Sequence, residues 1–517
     1  LVFFFLSLIS LIINFFYPIN TLVNNIIFLV SVLLFLNLII KKKIKFKIVI
    51  PLIVLTFLTL TIISFSNFQE DYPWYSIPYI SLINNEKISF GISNVQFRFG
   101  HISLLQYASA TIPSSIINTK FISLPNLIIP TAFILWSLNL FFFQNRKNTH
   151  EVSFFFIFFI SIFFITKFTR FSEYGNDVPA HSLAFLAIYY SINFEEKSQK
   201  EHSEIFTKIL IFSTFAILQK IQYLFLILLP TFFIITNFYL LKKNLLIIII
   251  CFLFTVTWLS KNFINTSCLL FPSNITCFKN TAWSAKKTMD HSFPKKVYQA
   301  SSAWSKGWPD QKNDKLNYVE YNDNYNWIST WSKNHGLLIV KKISPFLIIS
   351  FFYLLFICLK CKKIHFVKYN FYRNFVKHKW LFIIIIFSLI IWFNVYPMFR
   401  YNTAFLISFF ALIFSYIAQS IKIKNFTLPS LIILSAFFFL ISKNLVRIYK
   451  DYAYNELMPK VYSNSNFQTY ELLGGNKILK PEEGGCYYVT NICSHHGHLE
   501  TIENQNYGGY KMYFYKK

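Results

Sequence analysis

The chain has 517 residues, of which 55% are hydrophobic, 20% are aromatic and 64 are Phe. A water-soluble surface cannot cover that much apolar material, so the composition excludes a soluble globular protein and predicts an integral membrane protein. The formal net charge of +27 lies in short Lys- and Arg-rich segments between apolar runs, as in the cytoplasmic loops of membrane proteins. The charge therefore indicates topology, and we expect a lipid bilayer rather than nucleic acid as the partner.

Apolar runs of roughly the 20 residues that span a bilayer recur from the start of the chain to about residue 441. We predict an all-α polytopic membrane protein of about thirteen transmembrane helices over residues 1–442, with a small extracytoplasmic region at 443–517. Residues 205–241 form one apolar stretch that is interrupted at residues 219–222. We predict two short helices there, which meet at the outer face.

The distribution of basic residues predicts the orientation of these helices. Placing the Lys-rich segment 41–47 inside makes the later Lys- and Arg-rich loops cytoplasmic as well. The N-terminus is then inside and the C-terminus outside. The chain opens on Leu1 rather than Met, which indicates an alternative start codon or a fragment, and we do not predict a cleaved signal peptide.

The first outer loop, residues 68–120, carries adjacent acids, Glu70 and Asp71, at the end of the apolar run 48–65. A charged side chain inside a bilayer costs about 2.5 to 3.5 kcal/mol, so paired acids at a membrane edge indicate a wet cavity or a functional site. Arg98 and His101 follow in a polar segment that predicts a re-entrant or interfacial loop. Both side chains either reach lipid headgroups or join the acids in that site.

Short amphipathic helices flank this polar segment in the same loop. The stretches 77–82 and 102–107 each have the pattern of an amphipathic helix, and Pro73 and Pro78 suit entry turns. We expect both helices to lie on the bilayer surface and to form the floor of a cavity between lipid and water.

Two further outer loops carry charge. In residues 169–180, Glu173 and Asp177 stand before a helix, and Asp177 either caps that helix or supplies a second carboxylate for an acceptor hydroxyl or a divalent cation. In residues 396–402, Arg400 and Tyr401 occupy a predicted outer edge, where the guanidinium either holds a phosphate or reaches the headgroups.

The cysteines agree with this sidedness. Cys268 and Cys277 fall in the outer loop 263–335, and Cys486 and Cys493 fall in the C-terminal region, where an oxidising compartment permits disulfides. Alternating residues around the second pair predict a small disulfide-stapled β or α+β structure. His residues follow Cys493 and mimic a metal site, but we favour the disulfide and predict no metal site.

The loop 263–335 is rich in tryptophan. Its members are Trp283, Trp304, Trp308, Trp327 and Trp331. Singly they are typical of a membrane interface, whereas together they suit an acceptor-binding lid.

These segments resemble the GT-C superfamily of polytopic glycosyltransferases, and more narrowly an uncharacterised bacterial branch with the same layout. The resemblance rests on residues 70–73, 98–101, 173–177, 268–277 and 399–401. It implies a bacterial cytoplasmic-membrane enzyme that moves a sugar from a polyprenyl-phosphate donor to an extracytoplasmic glycan, lipid or protein, with inversion. The catalytic role would fall on Asp71 or Glu70. The acidic loop of the superfamily usually follows the first helix, whereas here it follows the third.

Other functions predict other patterns. An O-antigen-type polymerase or ligase would depend on arginines and histidines in large outer loops, and a transporter would place charges near the midplane of inverted repeats. A purely structural envelope protein would not need clustered acids. The sequence implies no specific cofactor, although Asp177 leaves room for a divalent cation.

Overall fold

The computed structural model describes residues 2–41, 53, 56–57, 71–101, 103–113, 121–122, 124–142, 151–167, 177–284, 293–308, 317–361, 364–421, 427–452, 461–462, 466–495 and 499–515. Most of these residues are helical. The helices are α1 (Val2–Phe16), α2 (Thr21–Ile40), α3 (Ile77–Asn85), α4 (Ile92–Val95), α5 (Leu105–Ala110), α6 (Leu124–Phe142), α7 (Val152–Lys167), α8 (Asp177–Glu196), α9 (His202–Gln219), α10 (Leu228–Thr236), α11 (Tyr239–Lys243), α12 (Leu245–Thr266), α13 (Phe293–Ser305), α14 (Tyr318–Asn322), α15 (Ile328–Trp331), α16 (Leu337–Cys361), α17 (Ile364–Val395), α18 (Phe399–Ser420) and α19 (Thr427–Tyr452).

Within the described residues, six helical stretches are long and apolar enough to cross a bilayer. They are Thr21–Ile40, Leu124–Phe141, Leu245–Thr266, Ile328–Leu359, Phe371–Val395 and Phe399–Ser420. The protein is therefore a membrane protein, but the predicted number of about thirteen spans is not confirmed. Several other apolar helices are shorter than a bilayer requires.

The centre of the helical bundle is α7. Nearly all of its side chains are buried, including Phe155, Phe158 and Phe163, because α6, α8, α16, α18 and α19 surround it. A helix that is apolar on every side is expected either in lipid or in a protein core. Here the surroundings are protein, so α7 is a core helix. The opposite case is α2, where Asn24 is the one buried residue among Thr21–Ile40.

The predicted outer segments gather at one end of this bundle. The indole of Trp331 donates to the carbonyl of Pro397 at 2.7 Å, and the hydroxyl of Ser302 donates to the carbonyl of Val395 at 2.9 Å. The amide of Gly91 donates to the carbonyl of Ile264 at 2.9 Å. The loops that the sequence assigns to one side of the membrane therefore lie together.

The helices α3 and α5 do not lie on the membrane surface, as we expected from their amphipathic pattern. All six residues of Leu105–Ala110 are buried, and the amide of Leu104 donates to the carbonyl of Leu218 at 3.0 Å. The hydroxyl groups of Tyr79 in α3 and Tyr107 in α5 form a hydrogen bond of 3.0 Å between the two helices. Asn84, Asn85 and Gln106 are hydrogen-bonded inside the bundle, so this loop folds back into the protein, and we call it the re-entrant segment.

The C-terminal region is a small β structure. Strands β1 (Phe467–Glu471), β2 (Lys477–Pro481) and β3 (Ile492–Cys493) form one sheet, with β1 antiparallel and β3 parallel to β2. Strands β4 (Ile502–Tyr507) and β5 (Tyr510–Tyr515) form a hairpin. Helix α19 continues past the predicted boundary at residue 442, to Tyr452.

The β region holds the first outer segment in place through backbone contacts. The amide of Tyr487 donates to the carbonyl of Pro73 at 2.9 Å, and the amide of Tyr513 donates to the carbonyl of Phe90 at 2.8 Å. Gly485 packs so closely that a Cβ there would lie 2.4 Å from the Cβ of Pro73, a distance that real Cβ contacts do not reach. Residue 485 must therefore lack a side chain, and the backbone next to Asp71 is fixed from outside.

Both predicted cysteine pairs are disulfide-bonded. Cys268 bonds Cys277 in the third outer segment. Cys486, which follows the Gly485 contact with Pro73, bonds Cys493 in strand β3. Closing a loop restricts the unfolded chain, and removing a native disulfide typically costs a few kcal/mol. The second bond therefore stabilises the part of the β region that contacts Pro73.

Replacing Cys486 and Cys493 together by Ser should loosen the β region and expose residues 466–495 to protease. For so short a loop we expect the free energy of local unfolding to fall by about 2 kcal/mol. Limited proteolysis of the protein in detergent, with fragments identified by mass spectrometry, measures the change. The matched control replaces Cys268 and Cys277, and equal cleavage rates of the β region in the two double variants would contradict the prediction.

Candidate active site

An ion pair between Asp71 and Arg400 joins the first outer segment to the start of α18. The Nη1 atom of Arg400 donates to Oδ2 of Asp71 at 2.7 Å, although the two residues are far apart in sequence. Their side chains are 32% and 26% exposed, so the pair is partly buried but reachable. Such a charge-assisted hydrogen bond orients both groups.

A second ion pair, between Asp177 and Lys220, lies directly beside the first. Lys220 contacts the Asp177 carboxylate at the junction of α9 and the 3₁₀ helix Ile221–Ile227, and its Nζ also donates to the carbonyl of Arg400 at 3.2 Å. The two side chains are 9% and 20% exposed. Two carboxylates and two cations therefore form one connected network.

Aromatic side chains line this network. The Tyr401 hydroxyl accepts a 3.4 Å hydrogen bond from Nη2 of Arg400, and the Lys220 ammonium lies 4.7 Å from the centre of the Tyr401 ring. The Trp304 ring centre is 6.0 Å from the Arg400 guanidinium carbon, and this indole is 48% exposed. An exposed aromatic face beside paired charges suits a ligand with both polar and apolar parts.

Tyr75 interacts electrostatically with the charges of this network. Burial raises the pKa of Tyr75 well above its usual value, and the Asp71 and Asp177 carboxylates add to the effect while Arg400 opposes it. The hydroxyl consequently stays protonated at neutral pH. A protonated hydroxyl can donate a hydrogen bond but does not serve as a base in this network.

Helix starts explain why these side chains meet. Asp177 is the first residue of α8, with Pro179 just inside, and Arg400 is the second residue of α18. A helix N-terminus carries partial positive charge and favours carboxylates and phosphates. Two such ends therefore point toward the same small region.

Hydrogen bonds below the site fix the helix starts relative to each other. Nδ1 of His181, one turn into α8, lies 2.5 Å from the Tyr223 hydroxyl, which also accepts from the amide of Ala404 at 3.3 Å. Tyr223 is fully buried. Because this one hydroxyl contacts both α8 and α18, the carboxylate of Asp177 is held in register with Arg400.

The structure brings together four of the residues that the sequence singled out: Asp71, Asp177, Arg400 and Tyr401. Glu70 and Glu173 lie outside the described residues. The Arg98 guanidinium lies 4.9 Å from the ring centre of Trp74, three residues after Asp71 in the chain, and Trp74 stacks on His495. The ring of His101 packs 5.2 Å from that of Phe271, away from the ion pairs.

Sequence reasoning missed Lys220 and Tyr75 as members of the site, whereas Trp304 was among the tryptophans of the predicted acceptor-binding lid. Lys220 did carry a signal, since it interrupts the long apolar stretch 205–241, and a charge at a helix break commonly marks a membrane edge. With a cation beside each carboxylate, Asp71 and Asp177 offer less negative charge to a divalent cation than the sequence suggested.

Comparison with known proteins gives one family. The family model described as "Domain of unknown function (DUF8201)" matches residues 1–407. No curated protein and no solved structure matches the chain. The matched range contains both ion pairs, and the C-terminal β region lies beyond it.

Proposed function

Because the chain belongs to the DUF8201 family, whose description states no activity, we propose its function from the chemistry of the site. The proposal is a membrane glycosyltransferase of the GT-C type, which moves a sugar from a polyprenyl-phosphate donor to an extracytoplasmic hydroxyl. The observation that carries it is the reachable Asp71–Arg400 pair at a helix start, with Lys220 alongside. A carboxylate next to an anion-binding guanidinium is the pair of groups that this reaction requires.

Arg400 binds the donor phosphate in the proposed reaction. Its guanidinium is permanently charged and offers a planar set of donors that matches phosphate oxygens. In the structure that set is partly occupied by Asp71. The arriving phosphate takes over the guanidinium, and the Asp71 carboxylate is released for chemistry.

Asp71 then acts as the general base. It accepts the proton of the acceptor hydroxyl as the hydroxyl oxygen forms a bond to the anomeric carbon. The bond from that carbon to the phosphate oxygen breaks, and its electron pair leaves with the polyprenyl phosphate. One direct displacement inverts the anomeric configuration, and the proton passes from Asp71 to water.

The second ion pair supports the same step from the side. Lys220 adds positive charge next to Arg400, which helps the leaving phosphate carry its extra negative charge. Trp304 offers an exposed ring at the same place, where a sugar can pack against it. The acceptor is an extracytoplasmic glycan, lipid or protein that carries the hydroxyl.

Donor turnover by the reconstituted protein tests the proposal. Proteoliposomes receive polyprenyl-phosphate hexoses and pentoses together with a cell-envelope extract as acceptor, and release of polyprenyl phosphate is measured. We expect turnover of at least one donor and a product of inverted configuration. No turnover of any donor, or a retained configuration, would overturn the proposal.

A matched acid on the same end of the molecule provides the control. Asp323 is exposed in the outer loop 263–335 and forms no part of either ion pair. Asp323→Asn should therefore keep full turnover. Loss of activity in that variant would show that replacing any acid at this end of the molecule lowers turnover, so that the effect is not specific to Asp71.

A further inference from the structure

Lys261 is a buried cation in a part of the structure that the proposed reaction does not use. It lies near the end of the apolar helix α12, where its side chain is 0% exposed. Among the described residues its Nζ atom has no hydrogen-bond partner, and neither has the indole Nε1 of the buried Trp258, one turn earlier. Two donors on one face of the helix are thus left without acceptors.

The surroundings of Lys261 come from the polar segment of the first outer loop. Helix α12 packs on the 3₁₀ helix Phe97–Gly100, which His101 follows directly. His101 is exposed, and desolvation by the surrounding protein and the charges of Arg98 and Lys261 lower its pKa below the usual value. His101 and Lys261 are therefore electrostatic neighbours.

The third outer segment packs over the 3₁₀ helix Phe97–Gly100 and His101. Phe271 packs against both Gly100 and His101, and a Cβ on Gly100 would lie 2.4 Å from the Phe271 ring. The Cys268–Cys277 disulfide encloses Phe271 in a short loop. The cover is consequently a built feature of the fold rather than a loose loop end.

The charge of Lys261 has no counterion in the described structure. None of the ion pairs there includes it, and the nearest aromatic face, that of Trp258, is 5.6 Å from the ammonium. An uncompensated charge inside a protein is costly, so buried lysines generally pair with an anion or lose their proton. A lysine that only extends toward headgroups would be exposed at its tip.

We propose that Lys261 and the indole N–H of Trp258, with His101 at the entrance, bind a phosphate group at the outer end of α12. The ammonium and the indole both donate, which suits the acceptor-only oxygens of phosphate. The site lies beside the re-entrant segment and away from the Asp71–Arg400 pair. The site would bind phosphate whether or not the Asp71–Arg400 pair transfers sugar.

The phosphate belongs either to a lipid headgroup or to a free anion. Both present the same phosphate oxygens, which accept hydrogen bonds. Only the lipid carries an apolar chain, which would enter from the bilayer. Farnesyl phosphate and inorganic phosphate therefore serve as the two probes. The protein is studied as the full chain in nanodiscs of phosphatidylcholine.

Binding affinity of wild type and Lys261→Met tests the site. We expect wild type to bind at least one of the two probes and Lys261→Met to bind it at least about tenfold more weakly, since a hydrogen-bonded charge is lost. Lys261→Arg keeps the charge and should bind more tightly than Lys261→Met. Binding of farnesyl phosphate alone assigns a lipid headgroup, and binding of both probes assigns a general phosphate site.

Two controls separate this site from other causes. Lys333→Met removes an exposed positive charge from the same end of the molecule and should leave binding unchanged. Arg400→Gln should leave Lys261-dependent binding in place even if sugar transfer is lost. With Arg400→Gln present in both proteins, so that the proposed donor site does not bind the probe, equal affinities with Lys261 and with Lys261→Met, or no binding of either probe, would overturn the inference. A lowered thermal stability of Lys261→Met with unchanged binding would assign the lysine to packing and would overturn it as well.

Discussion

Replacing Asp71 by Asn should reduce sugar transfer by about 10² to 10⁴-fold, which is the usual contribution of a general base. Asn has the shape of Asp, and its amide oxygen still accepts a hydrogen bond from Arg400, so the protein should fold and insert normally. What is lost is the ability to take a proton from the acceptor hydroxyl. Initial rates of polyprenyl phosphate release, compared between wild type and Asp71→Asn, measure the effect.

Donor affinity distinguishes this role from a structural one. In wild type the donor phosphate competes with the Asp71 carboxylate for Arg400, whereas in Asp71→Asn the competitor is neutral. The KM for the donor should therefore stay equal or fall while kcat drops, and the fall in kcat/KM then measures the transition-state stabilisation that Asp71 supplied. Retained turnover in Asp71→Asn would rule out Asp71 as the base.

Replacing Lys220 by Met should destabilise the protein strongly. The Asp177–Lys220 pair is mostly buried, with side-chain exposures of 20% and 9%. Removing one partner leaves an uncompensated charge, which typically costs about 3 to 5 kcal/mol. Unfolding of the purified protein in detergent, followed by tryptophan fluorescence, measures the loss in free energy of unfolding.

The double variant Asp177→Asn with Lys220→Met checks the cause. It removes both charges, so most of the stability lost in Lys220→Met should return. The exposed pair of Lys208 and Glu204 supplies the control, because Lys208→Met should change stability by less than about 1 kcal/mol. Wild-type stability in Lys220→Met would show that the pair is not a charge-compensating contact.

The convergence of the site could be predicted from the sequence in part. Polar residues that border apolar runs must lie at a membrane face, and alternate loops share a face. That reasoning placed Asp71, Asp177 and Arg400 at one end of the molecule. In the structure Asp71 contacts Arg400 directly, and Asp177 is connected to Arg400 through Lys220. Tyr401 came with Arg400 as its neighbour in the chain.

The partners of these residues could not be predicted. Which cation meets which carboxylate depends on which helices are neighbours, and hydrophobic patterns do not encode that. In the sequence Lys220 interrupts one apolar stretch and Lys261 stands near the end of another, and nothing in those patterns distinguishes the two lysines. In the structure Lys220 contacts Asp177, whereas Lys261 is enclosed by the re-entrant segment, so the same residue type has two different surroundings.

The number of spans was the least predictable part of the fold. Apolarity identifies a helix that avoids water, but it does not say whether lipid or protein surrounds it. The core helix α7 has 16 residues and is buried on all sides, whereas α2 has 20 residues and faces outward on most of them. Both helices are strongly apolar, so hydropathy alone does not separate them.

The contacts between the β region and the first outer segment have a consequence for biosynthesis. Pro73 and Phe90 are held by Tyr487 and Tyr513, residues that leave the ribosome roughly 400 positions later. At about 5 to 20 residues per second, the acidic loop waits tens of seconds for these contacts. The candidate site is therefore completed only after the C-terminal β region has been translated, and a nascent chain without that region lacks these contacts.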